Sequence, residues 1–172
     1  MHSTRPRSEP SPTAVVSVAS EADLAPFAAR LVAVLPRPML VALSGDLGAG
    51  KTTLVKAIAA ACGLDPADVI SPTFGLIHEY PLPERPDLPG RFVHADLYRL
   101  SGSDELAETG WVDAIAGDTW TFLEWPERIA AALPPERIDL TIEIESATGR
   151  RLRMTGHGPA AGDAVRALQS EV

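Results

Sequence analysis

The residues best suited to chemistry lie in one stretch, Gly45-Asp46-Leu47-Gly48-Ala49-Gly50-Lys51-Thr52. It fits the pattern G-x-x-x-x-G-K-[ST], a loop whose glycines let the backbone curl until its N–H groups converge on a polyphosphate. Lys51 is the cation for the β- and γ-phosphates, and the Thr52 hydroxyl is a ligand for Mg²⁺. The flanks agree with this reading. Met39-Leu40-Val41-Ala42-Leu43 is a short apolar run of the kind found in buried strands. Leu54, Ile58 and Ala61 follow at helical spacing, and Gly63 ends that helix. A helix starting at the loop adds unpaired N–H donors and positive partial charge. Residues Gly45 to Thr53 are therefore expected to bind ATP or ADP with Mg²⁺.

Such a loop needs an acid at a strand end to hold the magnesium shell, directly or through water. Asp96 follows the strand expected at 91–95, and Glu124 follows Thr119-Trp120-Thr121-Phe122-Leu123. Both are expected at carboxyl ends of strands, the side on which nucleotides bind in open α/β sheets. Lys51, Asp96, Glu124 and Thr73 are the candidate catalytic residues, and Thr52, Asp96 and Glu124 the candidate magnesium residues. Whether Glu124 acts as a base or as a second metal-site acid stays open. Thr73, in Ser71-Pro72-Thr73-Phe74, suits either a switch loop whose hydroxyl senses γ-phosphate or a simple turn. Trp125 beside Glu124 is placed either to cover the nucleotide or to pack partly buried. Arg99 is either a charge-stabilising arginine or, more simply, a surface one. His78 and His94 have no metal-ligand spacing with other His or Cys, so neither is read as a ligand.

The elements that must carry these residues alternate along the chain. Strands are expected at 14–18, 39–43, 75–80, 91–96, 119–123 and 138–144. Arg151-Leu152-Arg153-Met154 closes a terminal hairpin around Thr148-Gly149. A helix carries Leu24, Phe27, Ala28, Leu31 and Leu35 on one stripe. Its start is either a Ser20/Asp23 capping box or, preferred because Pro26 then lands in the first turn, an Asp23 N-cap. Shorter helices are expected at 103–108, 111–116 and 126–132. Prolines 81, 83, 86 and 89 make 81–90 a loop. This pattern predicts a three-layer α/β fold, with a mostly parallel sheet, helices on both faces and an antiparallel C-terminal hairpin. Residues 1–13 are expected to be a disordered tail, 14–155 the folded domain and 156–172, rich in Gly and Ala, a flexible tail.

The chain has 172 residues, enough for one domain that buries about two-thirds of its unfolded surface. Its net charge of −8 and its lack of a Lys/Arg cluster argue against a large nucleic-acid footprint. No apolar run approaches the ~18 residues of a membrane span, and the N-terminus lacks the apolar core of a secretory signal. A single cysteine, Cys62, leaves no internal disulfide, as expected for the cytoplasm.

Four blocks together resemble the bacterial TsaE (YjeE) family. They are Gly45–Leu54, Ser71-Pro72-Thr73-Phe74, His94-Ala95-Asp96-Leu97-Tyr98-Arg99-Leu100 and Glu124-Trp125-Pro126-Glu127. The resemblance implies a small cytoplasmic ATPase that associates with the TsaB–TsaD complex. Its ATP hydrolysis would support turnover of that complex in tRNA threonylcarbamoyladenosine synthesis, without being the transferase itself. The resemblance places the Walker residues at Lys51 and Thr52, the magnesium-site acid at Asp96, the switch threonine at Thr73 and a Glu-Trp pair at Glu124 and Trp125. tRNA is then met only indirectly, through the partner, and no membrane is involved. The alternative on the same loop is a small-molecule kinase, which would use lid arginines such as Arg85 and Arg91. A regulatory GTPase is disfavoured, because no Asn-Lys-x-Asp element and no Asp-x-x-Gly switch is present.

Overall fold

An apolar run buried along its whole length needs cover on both faces, and Met39 to Leu43 has it. The run forms β2 (Met39–Ser44), inside one mixed sheet. In this computed structural model, residues 10–72 and 76–170 are described. The other strands are β1 (Thr13–Val18), β3 (Ile77–Pro81), β4 (Arg91–Asp96), β5 (Thr119–Glu124), β6 (Arg137–Ile144) and β7 (Arg150–His157). The helices are α1 (Leu24–Val34), α2 (Lys51–Ala61), α3 (Trp111–Ala114) and α4 (Pro159–Gln169), with 3₁₀ segments at Ser103–Thr109 and Pro126–Ala132.

The strand order is β1-β7-β6-β2-β5-β4-β3. The four inner strands β6, β2, β5 and β4 are parallel to one another. The β6–β7 hairpin is antiparallel, as expected, and so are β1 against β7 and β3 against β4. The sheet is thus parallel at its centre and antiparallel at both margins. Between the inner strands the crossovers carry α2 and the short helices, which is how parallel neighbours are joined.

Two cores follow. On one face α1, α2 and α4 bury Phe27, Leu31, Leu54, Ile58, Val165 and Leu168 against Val41, Leu43, Phe122, Leu140 and Met154. On the other, Leu106, Trp111 and Ile129 pack on Leu40, Ala42, Ala95 and Leu123. The alternation of β6 has its physical counterpart here. Ile138, Leu140 and Ile142 face the first core, while Asp139, Thr141 and Glu143 stay partly exposed. On that open side the charges pair across or along strands, Arg137 with Asp139 and Arg153 with Glu143.

Two sequence expectations change and a third gains detail. Residues 156–172 were expected to be a flexible tail, but Pro159–Gln169 is a helix with Ala161, Ala164, Val165 and Leu168 buried. That is an i, i+3, i+4, i+7 stripe, and the Ala and Gly content makes it compact enough to sit close to the sheet. Gly156 shows how close: a Cβ there would lie 2.6 Å from the Ala161 carbonyl oxygen. At the start of α1 the two alternatives coexist: Asp23 stands in the N-cap position before Leu24, as preferred, and the Ser20/Asp23 box forms as well. The Asp23 carboxylate accepts the Ser20 N–H at 2.9 Å, so the Ser20/Asp23 box opens a 3₁₀ turn at Glu21–Asp23 that runs into α1. Pro26 then falls in the first turn of α1, so box and proline are compatible. Last, the segments at 103–109 and 126–132 are 3₁₀, the latter kinked at Ile129. Among the described residues, no helix is long and apolar enough to cross a membrane.

The helix assignment of the C-terminus has a direct consequence for stability. Leu168→Ala should lower the free energy of unfolding in urea by about 2–4 kcal/mol, the usual result of emptying a buried leucine site. A neutral result would mean that 159–169 does not pack.

Candidate phosphate-loop site

β2 stops at Ser44 because the chain must turn sharply over the end of the sheet. Gly45 makes that turn at φ +155°, and any Cβ there would lie 2.8 Å from the Ile142 carbonyl oxygen of β6. Gly50 then takes a left-handed φ of +104° as the residue before α2. Both positions require glycine. Between them the loop closes on itself through Ala49 N–H to Asp46 C=O at 2.9 Å. Arg150 on β7 braces it from outside, donating from Nε to the Ala49 carbonyl at 2.8 Å. The first N–H groups of α2, at Lys51, Thr52 and Thr53, lie beyond the reach of intrahelical acceptors.

Lys51 is buried. Its Nζ donates to the Gly45 carbonyl at 2.6 Å and the Asp46 carbonyl at 3.1 Å, and it sits 4.3 Å from the Trp125 ring centroid. The ammonium is therefore held by carbonyl dipoles and an aromatic face. Trp125 reaches it from a left-handed backbone conformation, φ +60°, uncommon for a bulky residue and a mark of a constrained site. The Tyr98 ring lies against Trp125 with centroids 5.0 Å apart.

The two predicted acids come together. In the parallel β4–β5 pair, Asp96 is the register partner of Glu124, so both project from the same ends of adjacent strands. Glu124 Oε1 accepts the Thr52 hydroxyl at 2.8 Å. It also lies 2.8 Å from His94 Nε2. Asp96 is half-buried; burial pushes its carboxyl up from the ordinary aspartate range, and the Tyr98 N–H, which it accepts at 3.0 Å, pulls it partly back.

Lys51, Thr52, Thr53, Asp96, Glu124 and Trp125 all line one cleft of about 380 Å³, with Gly48, Gly50, Leu47, Tyr98 and Arg99. The Asp46 side chain is exposed, and the bonds around it engage its carbonyl rather than its carboxylate. Ala49 is buried under the loop. Thr73 lies outside the described residues, but Ser71 and Pro72 just before it are on the cleft wall. Arg85 and Arg91, the lid arginines of a kinase reading, pair instead with Asp87 and Glu79 and do not line the cleft.

Two features escape the sequence reading. One is a second hollow of about 240 Å³ on the far side of the loop. Gly48, Gly50 and Thr53 belong to both hollows; the second adds Ser20, Glu21, Thr148 and Arg150 beside apolar residues such as Leu24 and Ile142. The other is His94, dismissed for want of metal-ligand spacing. Its signal was the strand period: two residues before Asp96, it shares that residue's face.

A glycine loop between a buried parallel strand and a helix, with two acids beside it, defines a phosphate-loop protein of the α/β class. Comparison with known proteins narrows the class. The family model described as Threonylcarbamoyl adenosine biosynthesis protein TsaE matches residues 18–152. A curated relative from Aquifex aeolicus, called tRNA threonylcarbamoyladenosine biosynthesis protein TsaE, is 35% identical over 81% of this chain and 93% of its own. A relative of the same name from Streptomyces coelicolor is 38% identical over 75% of this chain and 87% of its own. The crystal structure of Bacillus subtilis YdiB matches with a TM-score of 0.70 at 25% identity, covering 95% of this chain and 99% of YdiB. The chain belongs to the TsaE family of tRNA threonylcarbamoyladenosine biosynthesis.

The raised Asp96 carboxyl carries a sign that can be checked. The folded state holds this proton more tightly than the unfolded one, so the group favours folding below the ordinary aspartate range. That contribution is lost as pH rises through the elevated folded value. Asp96→Asn should therefore raise Tm at neutral pH, with the gain vanishing in acid. A Tm difference that is absent at pH 7, or that grows on acidification, would contradict the assignment.

Proposed function

We propose that this chain is a Mg²⁺-dependent ATPase that binds a TsaB–TsaD complex and hydrolyses ATP so that the complex can turn over in tRNA N6-threonylcarbamoyladenosine synthesis. It is not the transferase, and it works in the cytoplasm. The observation that carries the reading is the convergence of Lys51, Thr52, Asp96 and Glu124 on one cleft beside the loop. The family assignment supplies the pathway.

The donors fit the expected cation. Thr52 offers a hydroxyl, and Asp96 and Glu124 offer carboxylates, all hard oxygens. Among the described residues, no three His, Cys, Asp or Glu form a self-sufficient metal cage. That suits an ion that keeps its waters and leans on phosphates and one or two carboxylates. Magnesium, when bound, supplies charge neutralisation and polarises the phosphoryl group. Lys51 exchanges weak carbonyl partners for phosphate oxygens, which it binds more strongly as full charges. Glu124 either orients and deprotonates the attacking water or shares the metal shell with Asp96. Trp125 and Tyr98 form an aromatic wall of the cleft. Thr73 is assigned the γ-phosphate sensor, on sequence alone.

The second hollow shares the loop glycines and Thr53 with the first, so one extended ligand can occupy both. The base and ribose are assigned to it, with the phosphates over Lys51. Because the chain carries a net charge of −8, tRNA contact falls to the partner.

With the TsaB–TsaD complex present, ATP hydrolysis should rise above that of the chain alone, and repeated rounds of tRNA modification should follow. Lys51→Ala should cut hydrolysis by about 100-fold or more, the scale of losing one charge-stabilising donor. Unchanged hydrolysis in that variant would sink the ATPase reading. Equal hydrolysis with and without the complex, and no effect on modification, would sink the partner.

A further inference from the structure

His94 is completely buried, and its only polar contact among the described residues is Glu124 Oε1, 2.8 Å from Nε2. Its Nδ1 is buried with no partner. Thr52 donates to that same Oε1, so Oε2 takes neither bond.

These contacts discriminate between the proton arrangements of the pair. A proton on Nδ1, in a neutral or charged ring, would be a buried N–H without an acceptor, the costlier and rarer kind of orphan. A bare Nε2 would also forfeit a charge-assisted bond to the carboxylate. The neutral ring protonated on Nε2 avoids both, leaving only a lone pair unsatisfied. Around it, Phe92 and Asp96 flank His94 on the same strand face, and Phe122 of β5 and His78 of β3 are its register neighbours.

We propose that His94 is a positioning residue for Glu124: its Nε2–H and the Thr52 hydroxyl together clamp Oε1 and leave Oε2 for the chemistry of the cleft. The role acts through Glu124 and rests on the ATPase reading above. The clamp couples β4 and β5 to the first turn of α2, so the carboxylate is oriented before any nucleotide arrives.

The first test needs no turnover. Long-range ¹⁵N–¹H correlation of the full chain without nucleotide should place His94 Nε2 in the protonated range and Nδ1 in the lone-pair range. A proton on Nδ1 overturns the proposal. The second test compares His94→Phe, which removes the donor, with His94→Gln, whose amide can offer one. With the TsaB–TsaD complex, His94→Phe should lower kcat by about 10- to 100-fold while ADP affinity stays within about threefold, and His94→Gln should recover most of the loss. An undiminished kcat in His94→Phe, or equal impairment of both variants with native circular dichroism, overturns it. If His94→Phe does not fold, the nitrogen spectrum and His94→Gln against wild type decide. If the wild-type chain hydrolyses no ATP, the ATPase reading fails, while the nitrogen spectrum still accepts or rejects the clamp.

Discussion

A carboxylate with 3% exposure stands at the end of the inner strand β5, and the site is organised around answering it. A buried carboxylate left without donors costs several kcal/mol. Glu124 receives the Thr52 hydroxyl from the first turn of α2 and faces His94 of β4. Both donors come from elements that are distant in sequence. The bond to Thr52 anchors the loop helix to the sheet, and the contact with His94 aligns two strands. Any slip of one residue in the β4–β5 register would send His94 and Asp96 to the opposite face and leave Glu124 with the Thr52 hydroxyl alone.

That constraint explains why the chemistry sits where it does. The inner strands are parallel, so their carboxyl ends gather along one edge, where the start of α2 brings its unpaired N–H groups. The loop is rigid for a separate reason. Gly45 passes too close to Ile142 for any side chain, and Arg150 ties the Ala49 carbonyl to β7. Lys51 is stored against carbonyl oxygens and the Trp125 face rather than left to solvent, so a cation is already pointed into the cleft.

The margins of the sheet serve the centre. β1 and α4 close over β7, and β7 presents Arg150 to the loop. The approach of α4 depends on Gly156, where a side chain would strike the Ala161 carbonyl. The sequence reading discounted this segment as Gly- and Ala-rich, although alanine is itself a strong helix former. In place, small residues are what let a helix and a strand come together. The same reading preferred an Asp23 cap for α1 with Pro26 in the first turn, and that is where they lie. A 3₁₀ turn adds the Ser20/Asp23 box ahead of the proline, so the two alternatives were not exclusive.

By itself the sequence determined what local pattern can determine. The phosphate loop, the strand before it and the helix after it follow from glycine spacing and apolar period. Alternation in 138–144 marks a strand with one wet face, and the two acids announce themselves by ending apolar runs. Only the tertiary structure decided which groups share an atom. Asp96 meets Glu124 through strand register, Thr52 and His94 converge on one carboxylate oxygen, and Arg150 reaches back across the chain to the loop. The second hollow, likewise, exists only where β1, the loop and the β6–β7 turn come together. The reason is physical: period and composition act over a few residues, whereas register and burial are set by the whole sheet at once.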